Sequence, residues 1–355
     1  MLIDHLRLTD MVCTILEAAG SGEEEAAIVA GHLVEANLTG HDSHGVGMLP
    51  RYVAHRRTGL LEANRHAQLV RDEGAVLVFD GGMGYGQVVT REAVDLAITR
   101  ARETGVAALG MRNAHHMGRI GSYGEQCARA DMVGLFFVNV TGHTPLVAPF
   151  RGTDARMVTN PLCLALPAMG GKPMIVLDFA TSKVALGKCR VAMNKGEPMP
   201  EDTLLDGAGR PTTDPAVMFG DGHGALLPFG MHKGYGLALF CEILGGILAG
   251  GGTIQPENPR NGSIVNNMTG FVLDPGRLGD RDWMGRELAA LVDHVKASPP
   301  ADPQQPVLVP GEVEATTRAR RLEEGIPIDP ATWRELGKAA RSLGVGGAIP
   351  ADPAA

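Results

Sequence analysis

Apolar residues recur with helical spacing at both ends of the chain. Met11 and Ile15 fall on one face of a first helix, and residues 23–40 repeat the pattern. Residues 284–297 and the charged segment that ends near residue 343 show the same period. The pattern therefore predicts helices at both ends of the chain.

Between these ends, short apolar runs alternate with helical segments. A helix is predicted at residues 90–104, and a shorter one begins near residue 123. The predicted strands are residues 67–71, 75–79, 106–111, 133–140, 162–166 and 174–177 and a strand that ends at residue 272. Strands that alternate with helices are typical of an α/β protein.

The longest apolar run, residues 235–252, is barely long enough to cross a bilayer. Glu242 lies in its middle, and a carboxylate at that depth is costly in lipid. We therefore expect a buried helix and no membrane span.

The two chain termini carry separate signals. Asp4, Asp10 and Glu17 interrupt the apolar residues at the start, so we expect no signal peptide and a cytoplasmic protein. Residues 346–355 consist mainly of small residues, Gly and Pro. They are predicted to form a flexible tail, because they cannot stay ordered without help.

The composition is that of a globular protein with an acidic balance. Of 355 residues, 44% are hydrophobic and 20% are charged, and the formal net charge is −8. Because there is no basic field to gather phosphates, nucleic acid is not expected as a partner. The five cysteines lie far apart without a C-x-x-C pair, which argues against a disulfide framework and favours a reducing compartment.

Three common cofactor and metal motifs are absent from the sequence: G-x-G-x-x-G, G-x-x-x-x-G-K-[ST] and H-E-x-x-H. Their absence disfavours an ordinary Rossmann domain, a P-loop enzyme and a zinc protease. His115 and His116 are adjacent and point apart in most backbone conformations, so no metal site is expected.

Residues 113–124 concentrate groups that are suited to catalysis. His115, His116, Arg119 and three glycines lie between an apolar run and a segment that can form a helix. Histidine can donate and recover a proton near neutral pH, and arginine offers a charged planar fork to a carboxylate or phosphate. A polar loop with a satisfied histidine pair explains this stretch equally well when it is taken alone.

Further polar groups lie where predicted elements begin or end. Ser43 and His44 follow the second helix, and a helix cap with an incidental histidine is the alternative to a site. A nucleophile pair is disfavoured, because no G-x-S-x-G surrounds the serine. Asp178 lies at the carboxyl end of a strand, where open sheets bind ligands. His232 and Lys233 begin the apolar helix and can present positive groups to an anion. Together these groups suit a small carboxylate and a phosphate-bearing cofactor, but they do not name a reaction.

Five segments, in order, resemble the signatures of the type 2 malate/L-lactate dehydrogenase family. This family also contains ureidoglycolate dehydrogenase, sulfolactate dehydrogenase and diketogulonate reductase. The resemblance extends from about residue 5 to residue 343. The segments are residues 42–46 (DSHGV), 113–119 (NAHHMGR), 159–161 (TNP), 177–182 (LDFATS) and 232–237 (HKGYGL).

The resemblance implies an enzyme that uses NAD or NADP to reduce a 2-oxo acid reversibly to a 2-hydroxycarboxylate. It implies an α/β (α+β) fold that is not a Rossmann fold, in which a central mixed-sheet cofactor domain packs against a helical domain formed from both chain ends. Two subunits form the active clefts in this family, so a homodimer is expected. The corresponding bounds are residues 1–66 with 284–345 for the helical domain, 67–283 for the cofactor domain and 346–355 for the tail.

The resemblance also implies roles for individual residues. His116 would be the acid/base group, with Ser43 and His44 near the substrate. Asp178 would orient either a histidine or the nicotinamide amide, and both alternatives stay open. The expected cofactor-binding residues are His44, Gly118, Arg119, Ile120, Leu177, Asp178, Phe179, Ala180, Thr181, Ser182, His232, Lys233, Asn267, Gly311, Glu312, Val313 and Glu314.

The sequence departs from the family pattern at Met48, where many members have an arginine that suits the substrate carboxylate. Arg51 or Arg119 could take that role, with Tyr52 as a further substrate contact, or the pocket could accept a more apolar 2-oxo acid such as an aryl pyruvate. 2-Oxoglutarate is another candidate substrate. The alternatives are malate or lactate dehydrogenation proper, reduction of a cyclic imine, oxidation of a ureido acid and a silent cofactor-binding relative.

Overall fold

The computed structural model describes residues 1–349, which form ten α-helices and twelve strands. The helices are α1 (His5–Ala18), α2 (Glu23–Leu38), α3 (Leu49–Thr58), α4 (Gly86–Thr104), α5 (Gly121–Arg129), α6 (Leu186–Lys195), α7 (His232–Glu242), α8 (Arg281–Lys296), α9 (Glu312–Glu324) and α10 (Pro330–Ser342). The strands are β1 (Leu2–Ile3), β2 (Gln68–Glu73), β3 (Val76–Asp80), β4 (Val106–His115), β5 (Val133–Thr141), β6 (Leu162–Leu166), β7 (Ile175–Phe179), β8 (Leu204–Leu205), β9 (Pro211–Thr212), β10 (Ala225–Leu226), β11 (Val265–Leu273) and β12 (Ile326–Pro327).

The helices at the two chain ends share one buried core. Leu8 and Ile15 of α1, Leu33 of α2 and Tyr52 of α3 belong to the same cluster as Trp333 of α10. The strand β1 also pairs antiparallel with β12, so the two ends are joined by backbone hydrogen bonds as well. The predicted helices at both ends are confirmed, and their apolar faces are what bring the ends together.

A seven-stranded mixed sheet forms the centre of the molecule, in the order β2-β3-β4-β11-β5-β6-β7. Only β3 and β4 pair in parallel, with α4 as their connection, and the other neighbours are antiparallel. The helices α4 and α5 bury their apolar faces on one side of this sheet. The prediction of a mixed α/β architecture with strands between terminal helices is thus confirmed.

One strand is longer than its apolar run. The sequence predicts that β4 ends at residue 111, but it continues to His115, which pairs with Val265 of β11. Backbone pairing does not require apolar side chains, so the ladder continues into the polar segment. The consequence is that His115 is fixed by the sheet and not by a free loop.

The apolar run at residues 235–252 differs from the buried helix that its composition predicts. It forms the end of α7 and then a π-helical segment, Ile243–Leu248. Its small residues face the sheet, where a Cβ on Gly245 would lie 2.7 Å from the backbone nitrogen of Asn139. Phe240, Ile247 and Leu248 remain 59%, 63% and 65% exposed. The prediction of a buried helix is therefore only partly confirmed, because close approach to the sheet requires glycine on one side and leaves the bulky side chains on the other. No helix among residues 1–349 is long and apolar enough to cross a membrane.

The segment predicted to be a flexible tail is only partly described. Gly346–Ala348 forms a 3-10 turn, and the side chain of Ile349 is buried in the core that joins the chain ends. Residues 350–355 lie outside the described residues. For residues 346–349, packing against this core is a contact that the local sequence does not reveal, and the flexible tail stays a prediction.

Candidate active site

His116 lies at the centre of a cluster that is built from three elements. It follows β4 directly, and its side chain is 7% exposed. Its Nε2 lies 3.2 Å from His44 Nδ1, and the two rings are stacked with centroids 5.3 Å apart. Its Nδ1 lies 2.6 Å from the hydroxyl oxygen of Tyr52 on α3. The structure therefore brings together three predicted site residues from separate segments.

A fourth member of this cluster, Gln87, was not predicted from the sequence. Its side-chain nitrogen donates a 2.7 Å hydrogen bond to the Tyr52 hydroxyl, while its side-chain oxygen is buried without a partner within residues 1–349. Gln87 occupies the first turn of α4, directly after a run of glycines at residues 81–86. This position is the available signal, because a helix start after a glycine turn often faces a functional loop.

His115 belongs to a different environment from its neighbour. Its Nε2 lies 2.8 Å from His55 Nδ1, and it is fully buried. Tyr52 separates the two histidines, with its ring edge against His115 at 5.5 Å between centroids. Successive residues of a strand point to opposite sides, which explains why two adjacent histidines make separate contacts. His55, three residues after Tyr52 on the same helix, was also missed.

The histidines of the site are neutral in this structure. Burial lowers the pKa of His44 to about 4 and that of His115 to about 3. Burial also lowers the pKa of His116 well below its ordinary value, and the neighbouring His44 adds to this effect. Burial raises the pKa of Tyr52, so its phenol keeps its proton. The cluster is therefore a set of uncharged donors and acceptors at neutral pH.

Ser43 and His44 lie in a 3-10 turn, Asp42–His44, that is braced from two helices. Asp42 accepts hydrogen bonds from the side chain of Asn37 on α2, at 2.6 Å, and from Arg321 on α9, at 2.7 Å. The start of α6 leans against this turn, because a Cβ on Gly187 would lie 3.5 Å from the Cβ of Ser43. The predicted serine and histidine are therefore held between α2, α6 and α9.

Met48 and the two candidates for the substrate carboxylate, Arg51 and Arg119, have different surroundings. Met48 packs against the core that joins the chain ends. Arg119 is 2% exposed; its Nη2 lies 2.7 Å from Glu125 Oε1, and its Nε lies 3.8 Å from Asp178 Oδ2. Arg51 is exposed and makes no hydrogen bond or ion pair with any other residue of the described part of the chain. Partial burial lowers the pKa of Arg51, and the nearby Arg190 of α6 lowers it further.

Asp178 contacts the loop that follows His116 and not a histidine. Its Oδ2 accepts a 2.7 Å hydrogen bond from the backbone nitrogen of Gly121 at the start of α5. Burial raises the pKa of Asp178, and the charge of Arg119 acts in the opposite direction. Between residues 1 and 349, no histidine side chain is hydrogen-bonded to this carboxylate.

The loop at residues 117–121 is fixed by several partners. The backbone nitrogen of Arg119 donates to His32 Nε2 at 3.1 Å, and the Tyr123 hydroxyl donates to the Met117 oxygen at 2.6 Å. Gly118 has a φ of +75°, and a Cβ there would lie 2.5 Å from His32 Nε2. Glycine is required at this position for both reasons, and His32 is a further residue that was not predicted.

Asn267, predicted to contact the cofactor, is instead fully buried within the sheet. Its side-chain oxygen accepts from the backbone nitrogen of Asn113 at 2.9 Å, and its side-chain nitrogen donates to Asn139 at 3.0 Å. Asn266 accepts from the backbone nitrogen of Met117 at 2.8 Å. The two asparagines hold the backbone on both sides of the histidine pair, and Asn267 has no exposed side-chain atom to offer a cofactor.

The remaining predicted cofactor residues lie on the segments next to β7. The chain at Pro310 and Gly311 runs along this edge strand, with a 3.4 Å hydrogen bond from the Val176 nitrogen to the Pro310 oxygen. Glu314 lies 3.2 Å from His41 Nε2, and Glu312 pairs with Lys296. Leu177 and Val313 are exposed; Phe179, Ala180 and Ile120 lie nearer the interior, and Thr181 and Ser182 bond to nearby backbone oxygens.

His232 and Lys233 begin α7, and both are exposed. The preceding residue, Met231, has a φ of +58°, a backbone conformation that is strained for residues other than glycine. The backbone of this turn is tied to the β7 end, because the Phe229 nitrogen donates to the Thr181 oxygen at 3.1 Å. Throughout residues 1–349, no group of three or more His, Cys, Asp and Glu side chains is arranged to hold a metal ion.

Comparison with known proteins places these features in context. The sequence profile of the family described as malate/L-lactate dehydrogenase matches residues 3–337. The chain is 45% identical over 344 residues to hydroxycarboxylate dehydrogenase B of Escherichia coli O157:H7, covering 96% of this chain and 94% of that protein. It is also 45% identical over 335 residues to L-lactate dehydrogenase of Cupriavidus necator, covering 93% and 95% of the two chains. The solved structure of sulfolactate dehydrogenase from Methanocaldococcus jannaschii superposes with a TM-score of 0.85 at 34% identity, covering 97% of this chain and 98% of that chain.

Proposed function

Because the chain belongs to the malate/L-lactate dehydrogenase family, we propose that it is an NAD- or NADP-dependent oxidoreductase that interconverts a 2-oxo acid and a 2-hydroxycarboxylate. Similarity to dehydrogenases of hydroxy acids supports the reaction class. The observation that carries the proposal is the position of His116, bonded to His44 and Tyr52 close to an arginine without an acidic partner. Such a site combines a proton-transfer group with a cation for a carboxylate.

The residues next to the site fit a nicotinamide dinucleotide. Two buried polar atoms in the loop at residues 119–122, Arg119 Nη1 and Ser122 Oγ, lack a partner within the described residues. A guanidinium nitrogen and a hydroxyl suit the phosphate and amide oxygens of such a cofactor. This loop meets the end of β7 through Asp178, so we propose that residues 118–120 and 177–182 hold the cofactor, with the starts of α7 and α9 beside them. The site would use neither a G-x-G-x-x-G turn nor a Rossmann sheet.

When bound there, the reduced nicotinamide would supply a hydride to the carbonyl carbon of the 2-oxo acid. We propose that His116, protonated on both ring nitrogens when the 2-oxo acid is bound, supplies the Nε2 proton to the carbonyl oxygen and becomes neutral, and that the neutral ring takes this proton back in the reverse direction. His44 would accept a hydrogen bond from the same nitrogen while no substrate is present, since its Nδ1 faces His116 Nε2. Ser43, next to His44, would contact the substrate.

We further propose that Arg51 holds the substrate carboxylate. Arg119, the other candidate, is already paired with Glu125 and Asp178 and is shielded from solvent. Arg190 provides a second positive charge near Arg51, and two guanidinium groups without an acid between them attract an anion. Because Met48 packs against the core, Arg51, about one helical turn further along the chain, would take the place of the family arginine. An aryl pyruvate and 2-oxoglutarate are the proposed substrates.

A panel of substrates tests this proposal. Purified protein is mixed with NADH or NADPH and with pyruvate, oxaloacetate, 2-oxoglutarate, phenylpyruvate, hydroxyphenylpyruvate or a cyclic imino acid, and nicotinamide absorbance is followed. Consumption with 2-oxo acids, abolished in His116→Ala, is the expected result. Consumption only with the imino acid would replace the proposed substrate class. Cofactor binding without turnover of any compound would indicate a silent relative.

We propose that the protein is a homodimer in the cytoplasm. The exposed apolar side chains of α7 and the following π-helical segment, among them Phe240 and Ile247, would be covered by a second copy. All five cysteines are free thiols, which suits a reducing compartment. Light scattering after size exclusion should give twice the chain mass, and Phe240→Glu should shift it to the monomer. A wild-type monomer at micromolar concentration would contradict the dimer.

A further inference from the structure

The hydrogen-bond chain behind His116 is more than a support for its ring. We propose that Gln87, acting through Tyr52, decides which ring nitrogen of His116 carries the proton, and that its amide allows His116 to work both as an acid and as a base. Gln87 is thus assigned as a positioning residue. The inference rests on the proposed role of His116 in proton transfer, but its principal test requires no substrate.

The three side chains form a continuous, buried path. Gln87 Nε2 lies 2.7 Å from the Tyr52 oxygen, which lies 2.6 Å from His116 Nδ1. Gln87 and Tyr52 are 1% and 0% exposed, so bulk water does not supply donors or acceptors along the path. Each proton in the path must therefore be matched to an acceptor within it, because an unmatched buried donor is costly.

With the Gln87 nitrogen toward Tyr52, the path has only one consistent polarity. The amide donates to the Tyr52 oxygen, and the Tyr52 hydroxyl then donates to His116 Nδ1. Neutral His116 must carry its proton on Nε2, where it faces His44 Nδ1. In this polarity Nε2 has no free lone pair, so His116 cannot accept the proton of a 2-hydroxy acid.

A half-turn of the Gln87 amide gives the opposite polarity. The amide oxygen would then accept from the Tyr52 hydroxyl, and the Tyr52 oxygen would accept from His116 Nδ1–H. Nε2 is left with a lone pair as a base, or with a proton as an acid, while Nδ1 keeps its partner in both states. The amide oxygen that this polarity requires has no partner within residues 1–349.

The surroundings leave room for this exchange and offer no competing acid. Gly118 has no side chain, and a Cβ there would lie 3.4 Å from Gln87 Nε2. Around His116, no carboxylate of the described residues is hydrogen-bonded to the ring. The titratable and charged groups that face it are His32 from α2, His44 from the 3-10 turn, Arg51 and Tyr52 from α3, and His115 from β4. The nearby histidines and Arg51 disfavour a charged ring, and the Tyr52 oxygen is the group that can accept a hydrogen bond from Nδ1–H.

The principal experiment is ¹⁵N NMR of histidine-labelled protein during a pH titration. In Gln87→Glu, a carboxylate that can only accept should place the neutral proton of His116 on Nδ1 and raise the pH of its protonation by about one unit or more. In Gln87→Met, which offers neither donor nor acceptor, both tautomers should be populated. Thr90→Val, a buried change one turn further along α4, is the matched control and should match the wild type.

A double variant distinguishes transmission through Tyr52 from a direct effect of the new charge. Tyr52→Phe keeps the ring and removes the oxygen, so the effect of Gln87→Glu on the tautomer should vanish in the Tyr52→Phe background. An equal effect with and without the Tyr52 oxygen would overturn the proposal. So would a wild-type tautomer and titration in folded Gln87→Glu. If Gln87→Glu does not fold, the comparison of Gln87→Met with Tyr52→Phe decides, because both should lose the single tautomer of the wild type.

Activity provides a second readout with an active substrate pair. In Gln87→Glu, the pH midpoint of kcat for 2-hydroxy acid oxidation should rise with the NMR midpoint, whereas KM should change little. In Gln87→Met, kcat should fall by about tenfold in both directions. A loss of thermal stability without a change of pH profile would indicate a purely structural role. Absence of turnover in the wild type would count against the proposed reaction, but it would leave the NMR result to decide this inference.

Discussion

Two sides of the site use the same residue types in opposite ways. On the side that contains Arg51, this arginine has no acidic partner in the described chain, and the buried His116 is bonded to His44 and Tyr52. On the buried side, Arg119 is paired with Glu125 and Asp178, and His115 is bonded to His55. Residue type alone therefore does not identify the residues that take part in the reaction. What distinguishes the two arginines is whether the guanidinium is paired with carboxylates. What distinguishes the two histidines is which groups their ring nitrogens meet within the described residues, His44 and Tyr52 for His116 and only His55 for His115.

Removal of the buried Arg119 should have the largest effect on stability. Arg119→Met should leave Asp178 without its cation and Glu125 with only the exposed Arg129, and it should lower the free energy of unfolding by about 3–5 kcal/mol. Thermal unfolding with and without urea measures this change. Arg129→Met is the control, because it removes an exposed partner of the same Glu125 at 2.9 Å and should cost less than about 1 kcal/mol. Equal losses in the two variants would show that burial does not distinguish the arginines.

The next effect separates the two adjacent histidines. His116→Ala should lower kcat by about 10²-fold or more with little loss of stability, because it removes the proposed acid/base group. His115→Ala should instead lower the melting temperature clearly and kcat only slightly, because His55 loses its buried partner. Steady-state kinetics and calorimetry on both variants provide the test. The comparison fails if the two kinetic effects are alike.

A smaller effect sharpens the contrast between the arginines. Arg51→Gln should raise KM for the 2-oxo acid by about 10- to 100-fold and leave KM for the nicotinamide unchanged, as expected for the loss of one charge-assisted contact. Arg57→Gln, on the same helix and exposed, is the control. An unchanged KM in Arg51→Gln would leave the carboxylate to another residue, with Arg190 as the first to test.

The smallest effect concerns pH. His44 and His115 have pKa values of about 4 and about 3 in the folded protein, below the ordinary 6.5, because they are buried. Below pH 6.5 the unfolded chain therefore binds more protons than the folded protein. Each neutral histidine thus contributes stability that is complete above pH 6.5 and declines as the pH falls toward the folded pKa. The slope is at most about 1.4 kcal/mol per pH unit for each histidine. Melting temperatures of wild type and His44→Asn from pH 7 to 4.5 should converge on acidification; parallel curves would contradict the neutral assignment of His44.

The sequence located the main clusters of the site, but it did not show which of their residues contact each other. Residues 42–46 and 113–119 were identified as clusters, and the structure places His44 and His116 within 3.2 Å of each other. The sequence could not distinguish Arg51 from Arg119, because the partners of Arg119 come from α5 and β7 and not from adjacent positions. Gln87 was missed for the same reason, since it lies 35 residues from Tyr52, and its position after a glycine turn does not reveal which side chain it meets.

The role of Asn267 shows the limit of position-based inference. The family resemblance implied a contact with a cofactor, and in the structure its side chain holds the backbone of Asn113 inside the sheet. Asn267 is hydrogen-bonded to Asn139, 128 residues away in the sequence. Asn139 is in turn bonded to Glu242, which lies 103 residues from it. Such a network is invisible in any single segment of the sequence.

The sequence by itself determined the types of the elements, the order of the polar clusters and the family. Periodicity and backbone preference act over a few residues, so they can be read locally. Only the tertiary structure decided which cation stays unpaired, which histidine faces His44 and which amide stands behind it. These outcomes depend on burial and on contacts between distant elements, since a polar group acquires its role from the partners that folding brings to it.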